Sequence, residues 1–303
     1  MTVLYHYCSN AAFHSIVENR SIWLSALSLS SDTMEGKLVT DVIAEMAKSD
    51  GLDQANIQRL KESVSLLEQI MEGLGFCLSE EGDLLSQWRG YADNASGVSI
   101  GFSKKYLEKL SEASLNPQKS GFTLRKVEYE YESQKKRIQA TYDKIKELID
   151  NGAYKPLVHR TLLGFRTEQE LEAKNKEIKK AFYGLSMTVL GLFSELFLLK
   201  TKAFHEEQEW RLISYLTKTG DDECCFQSFP DKIVPYRKFS LSNLEENSIV
   251  EVISGPKNNT PEYVIDGLLK QNNFENVNVL RSESSYSPDF PSKSLKKSED
   301  LIV

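Results

Sequence analysis

Between Glu132 and Lys202 the chain loses every sign of period-two alternation and reads as charged, helical sequence, whereas the segments on both sides alternate. Alternation places successive side chains on opposite faces of a strand, while a 3.6-residue period marks a helix. A chain that switches from one to the other and back is expected to be α+β, with a helical insertion inside a mixed or antiparallel sheet core. The division this predicts is a core of residues 1–131 and 203–285, an insertion of 132–202, and a flexible tail of 286–303. The serine- and lysine-rich stretch from Ser282 onward has no periodic pattern and is expected to be poorly ordered.

Within the core, Val3 to Cys8, Ser21 to Ala26, Gly75 to Leu78, Gly97 to Phe102, Thr123 to Tyr131, Val234 to Leu241, Ile249 to Ser254 and Val277 to Leu280 read as strands. Asn10 is placed to cap a helix carrying Phe13, Ile16 and Val17, and helical patterns run over 52–73, from Leu84 to Tyr91 and from Glu262 to Gln271. Asp32 and Glu35 have capping-box spacing ahead of a further helix. In the insertion, helices are predicted at Gln134 to Asp150, Glu168 to Lys180 and Ala181 to Lys200. The stretch Ala181 to Leu199 carries one charge, Glu195, and approaches the length of a membrane span. Its hydroxyl residues, its two glycines and the lack of a second such segment favour a buried core helix.

A formal net charge of -7 argues against a basic nucleic-acid-binding surface as the dominant feature. The first residues, Met1 to His6, do not pair a charged stretch with an apolar one, so a secretory leader is not expected and a cytoplasmic location is. Cys8, Cys77, Cys224 and Cys225 have no Cys-x-x-Cys spacing and are expected to be free thiols. Glycine-rich phosphate loops, the Gly-x-Ser-x-Gly elbow and the His-Glu-x-x-His zinc motif are absent from the sequence.

The chemistry points to Phe204-His205-Glu206-Glu207-Gln208-Glu209-Trp210-Arg211-Leu212. Read as a strand, this stretch puts Glu207, Glu209 and Arg211 on one face, with successive carboxylates about 7 Å apart. Two carboxylates beside a cation suit a site that holds a hydroxyl and stabilises developing positive charge. They equally suit a solvated edge strand.

LYHYCSN, SIVENRSIWLSA, FCLSE, LLSQWRGYADNASGVSIGF, F-x-x-E-x-E-W-R-L and IVEVISGP, in that order, resemble a bacterial family of unknown function. That family shows Asn-Asp-Pro-Phe-Glu where this chain has Ser31-Asp32-Thr33-Met34-Glu35, so only the Asp and the Glu are kept. The opening also resembles the first two strands of ADP-ribosyltransferases, in which a first-strand His or Arg grips the ribose of NAD and a late strand supplies Glu-x-Glu. The resemblance assigns these roles to His6 and to Glu207-x-Glu209. It implies Glu209 as the stabiliser of an oxocarbenium-like centre and Glu207 as the group that orients or deprotonates an acceptor. Trp23 and Ser25 on the second strand, Ser79 in place of a Ser-Thr-Ser element, and Arg89 and Tyr91 are the further expected NAD contacts. The implied activity is an NAD-consuming ADP-ribosyltransferase or NAD glycohydrolase. It would act on a protein or nucleic-acid acceptor in a toxin or phage-defence setting, without a membrane or a metal. The competing expectation is a non-enzymatic binding module, or a metal-dependent nuclease built on the acidic cluster. On the enzyme reading, Glu209→Gln lowers the rate and barely changes stability.

Overall fold

A computed structural model describes residues 2–30, 34–115, 120–159, 167–220, 223–241 and 247–284. The fold is mixed α+β, with an open and mostly antiparallel ten-stranded sheet. Strands β1 (Val3–Cys8), β2 (Ser21–Ala26), β3 (Met71–Ser79), β4 (Val98–Ser103) and β5 (Thr123–Lys126) come from the first half. Strands β6 (Glu209–Thr217), β7 (Cys225–Ser228), β8 (Ile233–Ser240), β9 (Ile249–Ser254) and β10 (Asn278–Arg281) come from the second. The order β10-β9-β4-β1-β3-β2-β8-β7 describes the main path, with β6 on β3 and β5 on β6. Only β9 and β10 run parallel among these pairs.

The sheet forks at β3. One edge of β3 pairs with β6 along its whole length, from Met71↔Thr217 to Ser79↔Glu209. The other edge is shared: β1 pairs only at Tyr5↔Ser79, and β2 pairs only at Ser25↔Gly75 and Ala26↔Leu74. Between those contacts β1 and β2 part, and the backbone at Cys77 faces the gap. A carbonyl there would lack a partner, and an unpaired buried carbonyl is costly. The His6 ring meets this need, with Nδ1 2.8 Å from the Cys77 oxygen.

Apolar side chains cover both faces of the fork. On one side Leu4, Ile22, Leu24, Phe76, Ile100, Phe102, Leu212 and Val252 form the main core. Helices α1 (Asn10–Asn19), α5 (Lys104–Ser114) and α8 (Glu262–Gln271) bury one face each there, through Phe13, Ile16 and Val17, Leu107 and Leu110, and Ile265 and Leu269. On the other side α2 (Leu38–Ser49), α3 (Gln54–Ile70), α6 (Tyr131–Asp150) and α7 (Glu168–Leu190) share a second core with Ile213 of β6. The helices of the 132–202 stretch therefore share one apolar layer with α2 and α3.

Local differences from the sequence pattern have local causes. The cap of α1 is Ser9, whose side chain accepts from the Ala12 amide, one residue before the expected Asn10. Strand β3 begins four residues earlier than Gly75, because α3 stops at Ile70 and the chain turns directly into pairing with β6. The alternation at Thr123 to Tyr131 yields a strand only to Lys126. Beyond it Glu128 bridges to Leu199 and α6 starts at Tyr131. Strand β7 carried no clear signal, since it is a short edge with exposed residues. The two helices expected at Glu168–Lys180 and Ala181–Lys200 are one helix to Leu190, followed by a 3-10 turn at Gly191–Glu195. Only Ile178, Ala181, Leu185 and Val189 of α7 are buried, while Phe182, Tyr183 and Met187 are exposed, so this helix is amphipathic and not buried all round. Among the described residues no helix is long and apolar enough to cross a membrane. All four cysteines are free.

Candidate functional site

The gap in the fork holds a cavity of about 100 Å³, lined by β1, β3, β6, the helix α4 (Leu85–Tyr91) and the 200–207 segment. Its polar floor is a five-residue ion cluster. Arg211 is fully buried and donates through Nε and one terminal nitrogen to the two oxygens of Glu209, at 2.7 and 2.9 Å. The same guanidinium grips both oxygens of Glu35, at 2.6 and 3.0 Å, and donates to the Phe197 carbonyl at 2.6 Å. Lys200 bridges the other carboxylate, with Nζ 2.5 Å from Glu207 and 3.2 Å from Glu209. Tyr91 of α4 donates its hydroxyl to Glu207 at 3.0 Å.

Main-chain contacts bring these residues together. The Glu209 amide donates to the Tyr129 hydroxyl, and its carbonyl accepts from the Val127 amide. Lys200 is fixed by a short extended run: Glu128 N–H donates to Leu198 O, and Lys200 N–H donates to Glu128 O. The Gln134 side chain donates to the carbonyls of both Glu128 and Lys200. Glu35 enters through a turn whose next residue, Gly36, has φ +79°, a left-handed conformation that favours glycine.

The electrostatics separate the carboxylates. Burial by itself raises the Glu209 pKa, but the Arg211 and Lys200 charges outweigh it and hold the carboxyl near 2. Burial also dominates at Glu35, where Arg211 offsets it only in part, so that pKa is raised. Burial, followed by the Glu207 charge, pushes the Tyr91 phenol up and keeps it protonated as a donor. Burial lowers the His6 pKa to about 4, outweighing its bond to the Cys77 carbonyl. His6 is therefore neutral near pH 7. Because a carbonyl accepts at Nδ1, the proton sits on Nδ1 and Nε2 is an acceptor. The His6 ring is held in place by stacking on Phe76, with centroids 3.9 Å apart. The Cys77 thiol, also at the cavity, is held well above its ordinary pKa by burial and then by Glu209, so it is no thiolate nucleophile.

Of the residues selected from the sequence, His6, Tyr91, Glu207 and Glu209 line this one cavity, and Trp23, Ser25, Ser79 and Arg89 do not. Trp23 stacks on Tyr236 of β8 at 4.3 Å, and Ser25 lies in the β2–β3 ladder. Ser79 is buried and accepts from the Glu81 amide in a local turn. Arg89 is exposed on α4 and pairs with neither Glu209 nor Asp93. Glu207 is not on the strand: it ends a 3-10 turn (Lys202–Glu207), and Gln208 in a left-handed conformation (φ 42°) separates it from β6. The two carboxylates converge through that kink and Lys200, not through strand alternation.

Glu35 and Lys200 are the members that sequence patterning missed. Glu35 fitted a capping box, but its expected partner Asp32 lies outside the described residues, and α2 begins at Leu38 with Glu35 turned to Arg211. In the sequence Glu35 stood out only as the last residue of the 31–35 loop. Lys200 was a flank of an apolar stretch, and nothing in its spacing linked it to Glu207. Among the described residues no group of three or more His, Cys, Asp and Glu side chains is placed to hold a metal ion. Lys200 and Arg211 already supply the counter-charge.

No curated protein and no solved structure matches the chain. Residues 87–212, which carry Tyr91, Lys200, Glu207, Glu209 and Arg211, match the model of a family described as a protein of unknown function, DUF2971.

Proposed function

We propose that the chain breaks the bond between nicotinamide and ribose in NAD, passing ADP-ribose to a macromolecular acceptor or to water. The observation that carries this reading is the convergence of His6 with Glu207 and Glu209 on one cavity at the fork of the sheet. It is the combination that the resemblance to ADP-ribosyltransferases implies, so the fold-level part of the argument is analogy. In this reaction the electron pair of the C–N bond leaves with nicotinamide, and positive charge develops on the ribose ring. An ionised carboxylate beside that ring stabilises the transition state more than the ground state.

The hydrogen bonding favours Glu207 for this contact. Both Glu209 oxygens are committed to Arg211, and one of them also to Lys200. Among the described residues Glu207 accepts from Tyr91 and Lys200, one to each oxygen. On this reading Glu209 positions Lys200, Glu207 faces the substrate, and His6 Nε2 accepts from a ribose hydroxyl. The cavity of about 100 Å³ fits a ring, whereas small-molecule sites usually exceed about 300 Å³, so the rest of the dinucleotide needs a wall to move.

The test is to incubate the purified protein with labelled NAD, alone and with cell extract, following nicotinamide release and transfer of label to protein or nucleic acid. Release that is lost in Glu207→Gln supports the reading. No consumption of NAD in any extract overturns it.

A further inference from the structure

One wall of the cavity is the short helix α4. It is a single seven-residue helix with no side-chain N-cap, and Asp93, Asn94 and Ala95 just beyond it are all left-handed (φ 50°, 51° and 73°). An isolated helix of this length is not stable in water. Its head is held by the Tyr7 hydroxyl, which accepts from the Leu84 amide at 2.9 Å, and by Asp83. The Trp88 indole N–H donates to Asp83 Oδ1 at 2.6 Å, and Trp88 is fully buried with its ring edge-on to Tyr7.

The remaining capacity of Asp83 is taken by residues about 200 positions away. Ser282 and Ser284 donate their hydroxyls to Oδ1, at 2.5 and 3.0 Å, and the Glu283 amide donates to Oδ2 at 2.7 Å. The Ser284 hydroxyl also reaches the Asp83 carbonyl at 3.3 Å. The chain thus leaves β10, keeps one more sheet bond from the Ser282 amide to Ser254 O, and is clasped to the head of α4. At the other end of the same helix Tyr91 donates to Glu207, and Gln87 lines the cavity between them.

We infer that Asp83 is a positioning residue: through its clasp on Ser282–Ser284 it holds α4 as the closed wall of the cavity, and release of that segment opens the cavity to a ligand the size of NAD. The identity of the ligand rests on the reading above, whereas the coupling between the segment and α4 does not. Ser282 and Ser284 fall where the sequence pattern called for a poorly ordered tail, and the clasp explains why they are placed.

The experiment uses the full chain and the double variant Ser282→Ala/Ser284→Ala, which removes two hydroxyls but keeps the Glu283 amide bond. Asp83→Asn serves as a second variant. Hydrogen exchange of the 84–92 peptide is expected to rise at least tenfold in the double variant, with β1 and β4 unchanged. Unchanged exchange at 84–92, or an equal rise throughout the protein, overturns the inference. In the same proteins NAD association is expected to become about tenfold faster. An open α4 with no gain in NAD association, in a protein that binds NAD, overturns the gate. If the unaltered protein binds no NAD, the NAD reading fails, and the exchange result alone decides the positioning role.

Discussion

Arg211 grips Glu35 through both terminal guanidinium nitrogens although the two residues lie 176 positions apart, and neither is more than 3% exposed at its side chain. The same guanidinium holds Glu209, so one cation ties the turn before α2 to the first residues of β6. A fork geometry of this kind is beyond a lysine, whose ammonium is a point charge. Arg211→Met would leave three buried carboxylates, Glu35, Glu207 and Glu209, with Lys200 as the one remaining cation of the cluster. Breaking a buried pair from one side costs about 3–5 kcal/mol. Thermal unfolding should show a drop on the order of 10 °C. Arg211→Lys should recover only part of it, and full recovery would show that bidentate geometry is not what the site requires.

The two carboxylates should separate in mutagenesis. Glu207→Gln keeps a group that can accept from Tyr91 and removes one partner of Lys200, at a residue whose loss of charge leaves Arg211 untouched. NAD consumption should fall on the order of 100- to 1000-fold, and the melting temperature should fall less than in Glu209→Gln, because Lys200 keeps Glu209 and Arg211 keeps both its carboxylates. Glu209→Gln instead leaves Arg211 and Lys200 with one carboxylate fewer inside a buried cluster, and it should lower the melting temperature as well. This departs from the expectation drawn from sequence, in which Glu209→Gln lowers the rate and barely changes stability. Equal losses of stability in the two variants would count against the assignment.

Phe197 makes the site depend on two glycines. A Cβ on Gly73 would lie 2.5 Å from the Phe197 ring, and one on Gly36 would lie 2.8 Å from it. The carbonyl of the same Phe197 accepts from Arg211, so a ring that is pushed away takes a ligand of the cluster with it. Gly73→Ala should cost about 1–3 kcal/mol by overpacking. Adding Phe197→Leu should restore part of that loss by chemical denaturation, because the clash is with the ring and Gly73 carries no left-handed φ. No recovery in the double variant would assign the glycine to backbone strain.

Much of the sheet was legible because its signals are local. Val3–Cys8, Ser21–Ala26 and Ile249–Ser254 stand where alternation or apolar runs put them, and Glu262–Gln271 stands where the helical period does. Periodicity says nothing about which strand meets which, so the fork at β3 was invisible, and with it the gap that makes the cavity. The Glu-x-Glu spacing pointed to two residues that line the cavity, but not through strand alternation, since Gln208 breaks the strand and a kink brings Glu207 in. Lys200 and Glu35 reach the site through long-range backbone pairing and a turn. Neither leaves a trace at fixed spacing.

His6 gives the clearest pH dependence. Its folded pKa of about 4 lies below the ordinary value of 6.5, because burial disfavours the imidazolium more than the Cys77 carbonyl favours it. Between those values the unfolded chain binds more protons than the folded one, so folding stability rises with pH across the window. The contribution is complete above pH 6.5, falls as the pH drops, and is lost once the pH passes below about 4. It amounts to roughly 3 kcal/mol. Glu209 adds a second loss at lower pH: its folded pKa near 2 is depressed, so its share is present above the ordinary carboxylate range and disappears as the pH falls toward 2. Glu35 works the other way, since its raised pKa makes protonation on folding favourable and partly relieves the acid loss. His6→Asn keeps an N–H to offer the Cys77 carbonyl but cannot titrate. Its stability, measured by urea unfolding at several pH values, should no longer fall as the pH drops from 6.5 to 4.5, where that of the unaltered protein does. An unchanged slope in that window would place the acid sensitivity elsewhere than in the histidine at the fork.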